Sequence, residues 1–218
     1  MEKLIICGLG VRVPEETTLE SLQALADCRV VYCDLEDKKG RDWLKGYCRA
    51  LKTPASAAAV VADAKKGGVG LAVWGQPQFS SRLARDVELA AAKAGVEYRV
   101  FGAISPIGSV FARSISFLGG DYGYQGIQAY SVQTLLEDPK AARVDLPLVL
   151  YAEKASPAEW AAILKRLGAS YPKGHQGRLF GPADAEQRGE LAGLKPAHAA
   201  VILIPPVESA ALREPRRR

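Results

Sequence analysis

The sequence predicts an α/β protein built as two small α/β domains with a cleft between them. Three observations predict it. Short apolar runs rich in valine and isoleucine alternate with alanine- and leucine-rich helical segments through the first hundred residues, the rhythm of a mainly parallel sheet covered on both faces. Residues 118–126 (LGGDYGYQG) then place four glycines in nine residues and break that rhythm. After the break, apolar strands and one strongly capped helix resume and lead to the closing run AAVILI at residues 199–204. We therefore expect an N-terminal domain over residues 1–118 and a C-terminal domain over residues 119–218, with a disordered arginine-rich tail from about residue 212. At 218 residues, 48% hydrophobic and 24% charged, the chain is long enough to bury a core in each half.

Residues 4–7 (LIIC) read as a buried strand, followed by the turn Gly8-Leu9-Gly10. Thr17 or Thr18 caps a helix on which Leu19, Leu22 and Leu25 recur at helical spacing. A strand at 29–33 (RVVYC) and a helix at 57–66, stopped by Gly67-Gly68, come next. A third strand at 69–74 (VGLAVW) breaks at Gly75-Gln76-Pro77. It precedes a helix over 81–94, a strand at 96–101 and a helix over 106–117. In the second half, strands are expected at 127–131, 148–151, 176–180 and 199–204. An acidic, proline-marked loop separates the first two. Ser156-Pro157-Ala158-Glu159 is a capping box with proline at the first helical position, so a helix runs from there to Leu167.

Composition removes several classes of function. No window approaches eighteen uninterrupted apolar residues, and the first residues lack the apolar core of a signal peptide; a cytoplasmic protein is expected. The four cysteines have neither paired nor metal-like spacing, which suggests reduced thiols. His175 and His198 stand in separate segments without neighbouring ligands, so no metal is expected. There is no G-x-S-x-G elbow and no Walker loop. Of the formal charge of +5, three units belong to Arg216, Arg217 and Arg218 in the tail, which leaves +2 for the body. The body thus lacks the basic face of a nucleic-acid binder, and neither nucleic acid nor membrane is expected as a partner.

Ligands of open α/β sheets bind beyond the carboxyl ends of the strands. Three loops fall there: Gly8-Leu9-Gly10, Trp74-Gly75-Gln76-Pro77-Gln78-Phe79 and Gly102-Ala103-Ile104-Ser105-Pro106, with Ser105 as a helix cap. The first also invites comparison with a dinucleotide fingerprint, supported by Asp34 after the second strand. Val13 occupies the place of its third glycine, so a nicotinamide-dependent reductase is the weaker reading. Residues 11–16 read as an extended loop, since the first helix starts only near Thr18.

Taken in order, these motifs resemble the tetrapyrrole (corrin/porphyrin) methylase superfamily, the class III methyltransferases that use S-adenosylmethionine, over about residues 3–207. The family opening G-x-G-P-G-D-P-x-x-L-T is similar to residues 8–19 (GLGVRVPEETTL), and its V-V-L-Y-D strand end to residues 30–34 (VVYCD). Its G-D-P loop is similar to Gly75-Gln76-Pro77 and its P-G-I-S segment to residues 102–105 (GAIS). The strand at 148–152, the glutamine of Glu186-Gln187-Arg188 and the last strand ending in Pro205-Pro206 follow the family order. The chain departs from the pattern where Val11, Arg12 and Val13 replace P-G-D and where Gln76 replaces aspartate. Trp74-Gly75-Gln76-Pro77 and residues 126–131 are more similar to two outlying branches. These are the borosin-type peptide N-methyltransferases and the methylase-like domain of nucleotide pyrophosphohydrolase fusions.

The resemblance implies S-adenosyl-L-methionine as cofactor and a small-molecule (tetrapyrrole-like) or peptide backbone amide as methyl acceptor. It implies cofactor contacts from Gly8, Gly10, Trp74, Gly75, Gln76, Pro77, Phe79, Ser105 and Pro106, and, from the second domain, from Tyr151, Ala152, Ala199, Ala200 and Val201. Asp34 and Tyr130 are the candidate catalytic residues, and Arg113, Tyr122 and Tyr124 the candidate substrate contacts. A homodimer is implied by the family alone. The alternative is a non-catalytic module on the same fold that senses S-adenosylmethionine or another nucleotide, which the altered first loop favours.

Overall fold

The computed structural model describes residues 3–114, 126–138, 140–152, 154–180, 186–196 and 200–207. The chain divides into two compact units, Met1–Ser109 and Val110–Arg218.

In the first unit, five strands form a wholly parallel sheet: β1 (Leu4–Gly8), β2 (Val30–Cys33), β3 (Leu51–Lys52), β4 (Val69–Val73) and β5 (Tyr98–Phe101). Their order is β3-β2-β4-β1-β5. β1, β2 and β4 are buried at every position, as expected of strands with helices on both faces. Alternation sorts their side chains. Leu4, Ile6, Val30, Tyr32, Val69, Leu71 and Val73 join one core with Val60, Val61 and Ala64 of α3 (Ala57–Ala64) and Ala84, Val87 and Ala91 of α5 (Arg82–Lys93). On the other face lies α1 (Leu19–Ala26), and Gly70 of β4 makes room for it. A Cβ there would sit 2.8 Å from Leu25 Cδ2 and 3.1 Å from Cys28 Sγ.

Thr18 is the cap of α1, its side chain accepting from Ser21 N. Of the three expected apolar positions only Leu25 is buried, and Leu19 is 78% exposed. Two helices of this unit escape the sequence reading. α2 (Lys38–Lys45) starts inside the charged run of residues 34–39 (DLEDKK), where Asp37 accepts from Gly40 N at 2.7 Å. Its apolar contribution is little more than Leu44, so periodicity gives no signal. α4 (Pro77–Ser80) is a single helical turn in what reads as irregular loop, with Gln76 as its cap and proline at its first position.

The division between the units falls inside α6 (Pro106–Ser114). The second unit carries β6 (Gln128–Ser131), β7 (Leu148–Ala152), β8 (Gln176–Phe180), β9 (Glu186–Glu190) and β10 (Ala200–Ile204) in the order β6-β7-β10-β8-β9. Only β6 and β7 pair in parallel; the other neighbours are antiparallel. The acidic loop of the sequence reading contains α7 (Val132–Glu137), capped by Ser131. The expected capping box opens α8 (Pro157–Ser170), with Ser156 and Glu159 bonding reciprocally. Trp160, Ile163, Leu164 and Leu167 of α8 pack with Leu135 against Leu148, Leu150, Ala152, Ala200, Ile202 and Ile204.

Candidate functional site

Parallel strands all present their carboxyl ends at one edge of the sheet. In the order β2-β4-β1-β5 that edge bears Asp34, then Trp74-Gly75-Gln76, then Gly8-Leu9-Gly10, then Gly102 to Ser105. Four neighbouring strands span roughly 14 Å at the usual strand spacing. The crossover topology thus gathers, on one edge, four segments spread from residue 8 to residue 105 of the sequence.

The first and second glycine loops are joined directly. Gly10 N donates to Gly75 O at 3.3 Å and Gly75 N to Gly10 O at 2.8 Å, an isolated antiparallel bridge between the ends of β1 and β4. Both glycines have positive φ, 79° and 66°. Gly8 is needed for a different reason: a Cβ there would collide with Gly75 O and lie 2.7 Å from Ala103 Cβ and 2.8 Å from Pro77 Cδ. Three loops therefore meet at Gly8. Gln76 turns its side chain back on its own loop, where Oε1 accepts from Phe79 N at 2.6 Å. Ser80 Oγ donates to Trp74 O and Gln76 O. Ser105 Oγ accepts from Gly108 N at 3.1 Å and so caps α6 as expected. Trp74 is 6% exposed, and its Nε1 donates to Val11 O at 3.1 Å, holding the first loop from across the edge. Pro77 and Pro106 are buried, while Phe79 and Asp34 are half-buried. Asp34 is fixed to the edge by its backbone, its N–H donating to Ala72 O at 2.9 Å.

Residues 11–16 are not extended. They fold back so that Glu16 N donates to Arg12 O at 2.9 Å and Thr17 N to Pro14 O at 3.0 Å. At the centre of this turn is Glu16, only 5% exposed. Oε2 accepts from Val11 N at 2.9 Å and Arg12 N at 3.2 Å; Oε1 accepts from Arg12 Nε at 3.2 Å and Ser109 Oγ at 2.7 Å. Burial alone would raise the carboxyl's pKa, but the hydrogen bonds from Ser109, Arg12 and Val11 outweigh it and hold it below the usual glutamate value. The sequence reading missed this residue. An acid just ahead of a helix cap reads as a solvated partner of the helix dipole, and no spacing reveals that the chain doubles back.

The second-unit candidates divide between the faces of their sheet. Ala152 and Ala200 belong to the core under α8. Tyr151 and Val201 are register partners on the opposite face, also buried. Tyr130 packs against the core and donates its hydroxyl to Ala141 O at 3.3 Å, an architectural contact. The Arg113 guanidinium lies 5.5 Å from the centre of the Phe180 ring, and Arg178 lies 5.4 Å from the same ring. Tyr122, Tyr124, Ala199 and His198 lie outside the described residues.

The thiols are poor nucleophiles here. Burial pushes Cys7 and Cys33 up, and Cys28 and Cys48 up to about 11. Among the described residues no cluster of histidine, cysteine and carboxylate side chains could hold a metal ion. None of the described helices is long and apolar enough to cross a membrane. His175 stacks on Tyr171 with centroids 4.7 Å apart, and its Nε2 is 2.9 Å from Pro205 O.

Comparison with known proteins agrees with this architecture. The family model described as "Tetrapyrrole (Corrin/Porphyrin) Methylases" matches residues 3–179, and the chain belongs to that family. Solved structures of similar fold include the methyltransferase CobJ, at 17% identity and a TM-score of 0.67, covering 94% of this chain and 95% of that one. The uroporphyrin-III C-methyltransferase of Thermus thermophilus, solved with S-adenosylhomocysteine, is 19% identical with a TM-score of 0.68 over 93% and 96% of the two chains. A diphthine synthase is 17% identical with a TM-score of 0.63 over 93% and 90%. At these identities the likeness establishes a shared fold. No curated protein sequence matches the chain.

Proposed function

We propose that the protein is an S-adenosylmethionine-dependent methyltransferase whose cofactor binds at the carboxyl edge of the first-unit sheet. The observation that carries this reading is the convergence of the Gly8–Gly10, Trp74–Phe79 and Gly102–Ser105 segments on that edge, within a chain of the tetrapyrrole methylase family. The residues present suit such a group. A Cβ at Gly102 would meet nothing within 4 Å, and Ile104 beside it is 41% exposed, so the end of β5 is open and apolar. When bound, S-adenosylmethionine supplies an electrophilic methyl group on a sulfonium sulfur.

The chain's own contribution is positioning. The Gly10–Gly75 bridge and the tight approach at Gly8 fix loop backbone without side chains projecting between the strands. Rigid loops of this kind lower the entropic cost of holding two reactants in line. Asp34, on the same edge, is the candidate group to orient the acceptor or take its proton. The acceptor is a nucleophile of a small, tetrapyrrole-like molecule or a peptide backbone amide. Titration calorimetry with S-adenosylmethionine and S-adenosylhomocysteine tests the reading. Micromolar binding that weakens in a Gln76→Ala, Ser105→Ala variant is the expected result. A folded wild-type protein that binds neither compound would refute it, and binding without turnover on any acceptor would favour the sensor module instead.

A further inference from the structure

We propose that Glu16 is the positioning residue of this site: its buried carboxylate, rather than the residue types of the loop itself, sets the backbone conformation of the Gly10–Arg12 segment and ties it to the start of α6. The inference rests on the methyltransferase reading above and extends it.

Three observations carry it. First, Glu16 takes hydrogen bonds from two successive backbone amides of the loop, from the Arg12 side chain, and from Ser109, ninety-three residues away on α6. These four groups are all donors, and an ionised carboxylate is the side chain that accepts on both oxygens without offering a proton. Second, the loop is shaped around it: a Cβ at Gly10 would sit 2.5 Å from Glu16 Cβ and 2.8 Å from Glu16 O. Trp74 closes the same loop from the other side through Val11 O, and Thr17 Oγ1 donates to Leu9 O at 2.8 Å. The Ser109–Glu16–Val11–Trp74 chain thus links α6 with the loops that follow β1 and β4. Third, the arrangement explains how this chain tolerates side chains at Val11 and Arg12, where the family opening has proline and glycine. A fixed acceptor for their two N–H groups supplies the turn that proline and glycine would otherwise favour. Burying a charge is costly unless it is fully bonded, so a merely decorative turn would be met more cheaply by a neutral side chain.

The test compares the wild-type chain with Glu16→Gln, Ser109→Ala and, as a surface control on α1, Glu20→Gln. Two readouts are taken well below the melting temperature: amide exchange of Val11 and Arg12 against that of Ile5 and Ile6 in β1, and S-adenosylhomocysteine affinity. Glutamine accepts at one end only, so one pair of donors must face an NH2 group. Glu16→Gln is expected to speed exchange at Val11 and Arg12 and to weaken S-adenosylhomocysteine binding by roughly tenfold or more, with β1 unaffected. Ser109→Ala, which removes one hydrogen bond, is expected to weaken binding by about fivefold, and it carries the test if the glutamine variant does not fold. Glu20→Gln should change neither readout. Wild-type exchange and affinity in a folded Glu16→Gln or Ser109→Ala protein would overturn the proposal, since a purely structural glutamate would lower only the melting temperature. If the wild type binds neither S-adenosylhomocysteine nor S-adenosylmethionine, the methyltransferase reading fails, and exchange alone then decides whether Glu16 sets the loop.

Discussion

Substituting alanine at two glycines of equal backbone conformation separates the local cost of a turn from the cost of filling the site. Gly10 has φ 79° and Gly67 has φ 83°, so alanine pays the same left-handed penalty at each, roughly 1–2 kcal/mol. Their surroundings differ. Nothing lies within 4 Å of a Cβ built on Gly67, at the end of α3. On Gly10 the same atom meets Glu16 Cβ at 2.5 Å, Glu16 O at 2.8 Å and Glu16 C at 3.0 Å. Two of these are backbone atoms, and the third belongs to a side chain pinned at its carboxylate, so no neighbour yields easily. Overpacking of this kind costs about 1–3 kcal/mol beyond the backbone penalty. For a chain of this length each kcal/mol moves the melting temperature by roughly 2–4 °C. Gly67→Ala should therefore melt about 2–8 °C below wild type, and Gly10→Ala a further 2–12 °C lower. Differential scanning fluorimetry of the two variants, followed by S-adenosylhomocysteine titration, reads both effects. Only Gly10→Ala should lose affinity. Equal melting temperatures for the two variants would refute the claim that the first loop is packed against Glu16.

Two further predictions concern charge. Because the Glu16 carboxyl is held below its ordinary pKa in the folded protein, its contribution to stability is present above about pH 4.5 and disappears as pH falls through the lower folded value. The melting-temperature gap between wild type and Glu16→Gln should thus be full near neutrality and shrink in acid; a gap independent of pH would contradict the assignment. In the second unit, Arg178 is 5% exposed, bonds Glu186 through Nε at 2.6 Å and Nη2 at 3.0 Å, and lies over Phe180. Arg178→Ala should cost about 1–3 kcal/mol, less than a fully buried pair because the Glu186 side chain stays 32% exposed. By contrast, Arg143→Ala, which breaks a pair whose side chains are 64% and 57% exposed, should cost measurably less than Arg178→Ala, because water screens the exposed charges. Urea denaturation of the two variants compares these costs directly.

Much of the architecture was legible because burial writes itself into local composition. β1, β4, β7 and β10 are short apolar runs bounded by glycine or proline, and α3, α5 and α8 carry explicit caps. α2, α4 and α7 were not legible: the run of α2 is mostly charged, α4 is a single turn that shows no period, and α7 has only six residues. The exposure of Leu19 is a tertiary outcome: α1 turns Leu25 toward Gly70 and leaves its first leucine outside.

For the site, local composition identifies which segments end the strands, and therefore that residues 8–10, 74–79 and 102–106 face one edge, since a parallel sheet with crossover connections puts all such ends together. Their order across the edge, the Gly10–Gly75 bridge, and the use of Trp74 and Gln76 as loop supports emerge from the three-dimensional packing. Glu16 emerges from the same packing, because its role depends on a chain reversal and on Ser109 from α6. Apolar burial is encoded residue by residue in a periodic pattern, whereas a buried carboxylate is defined by the donors that close around it. Those donors come from parts of the chain that only folding brings within 3 Å.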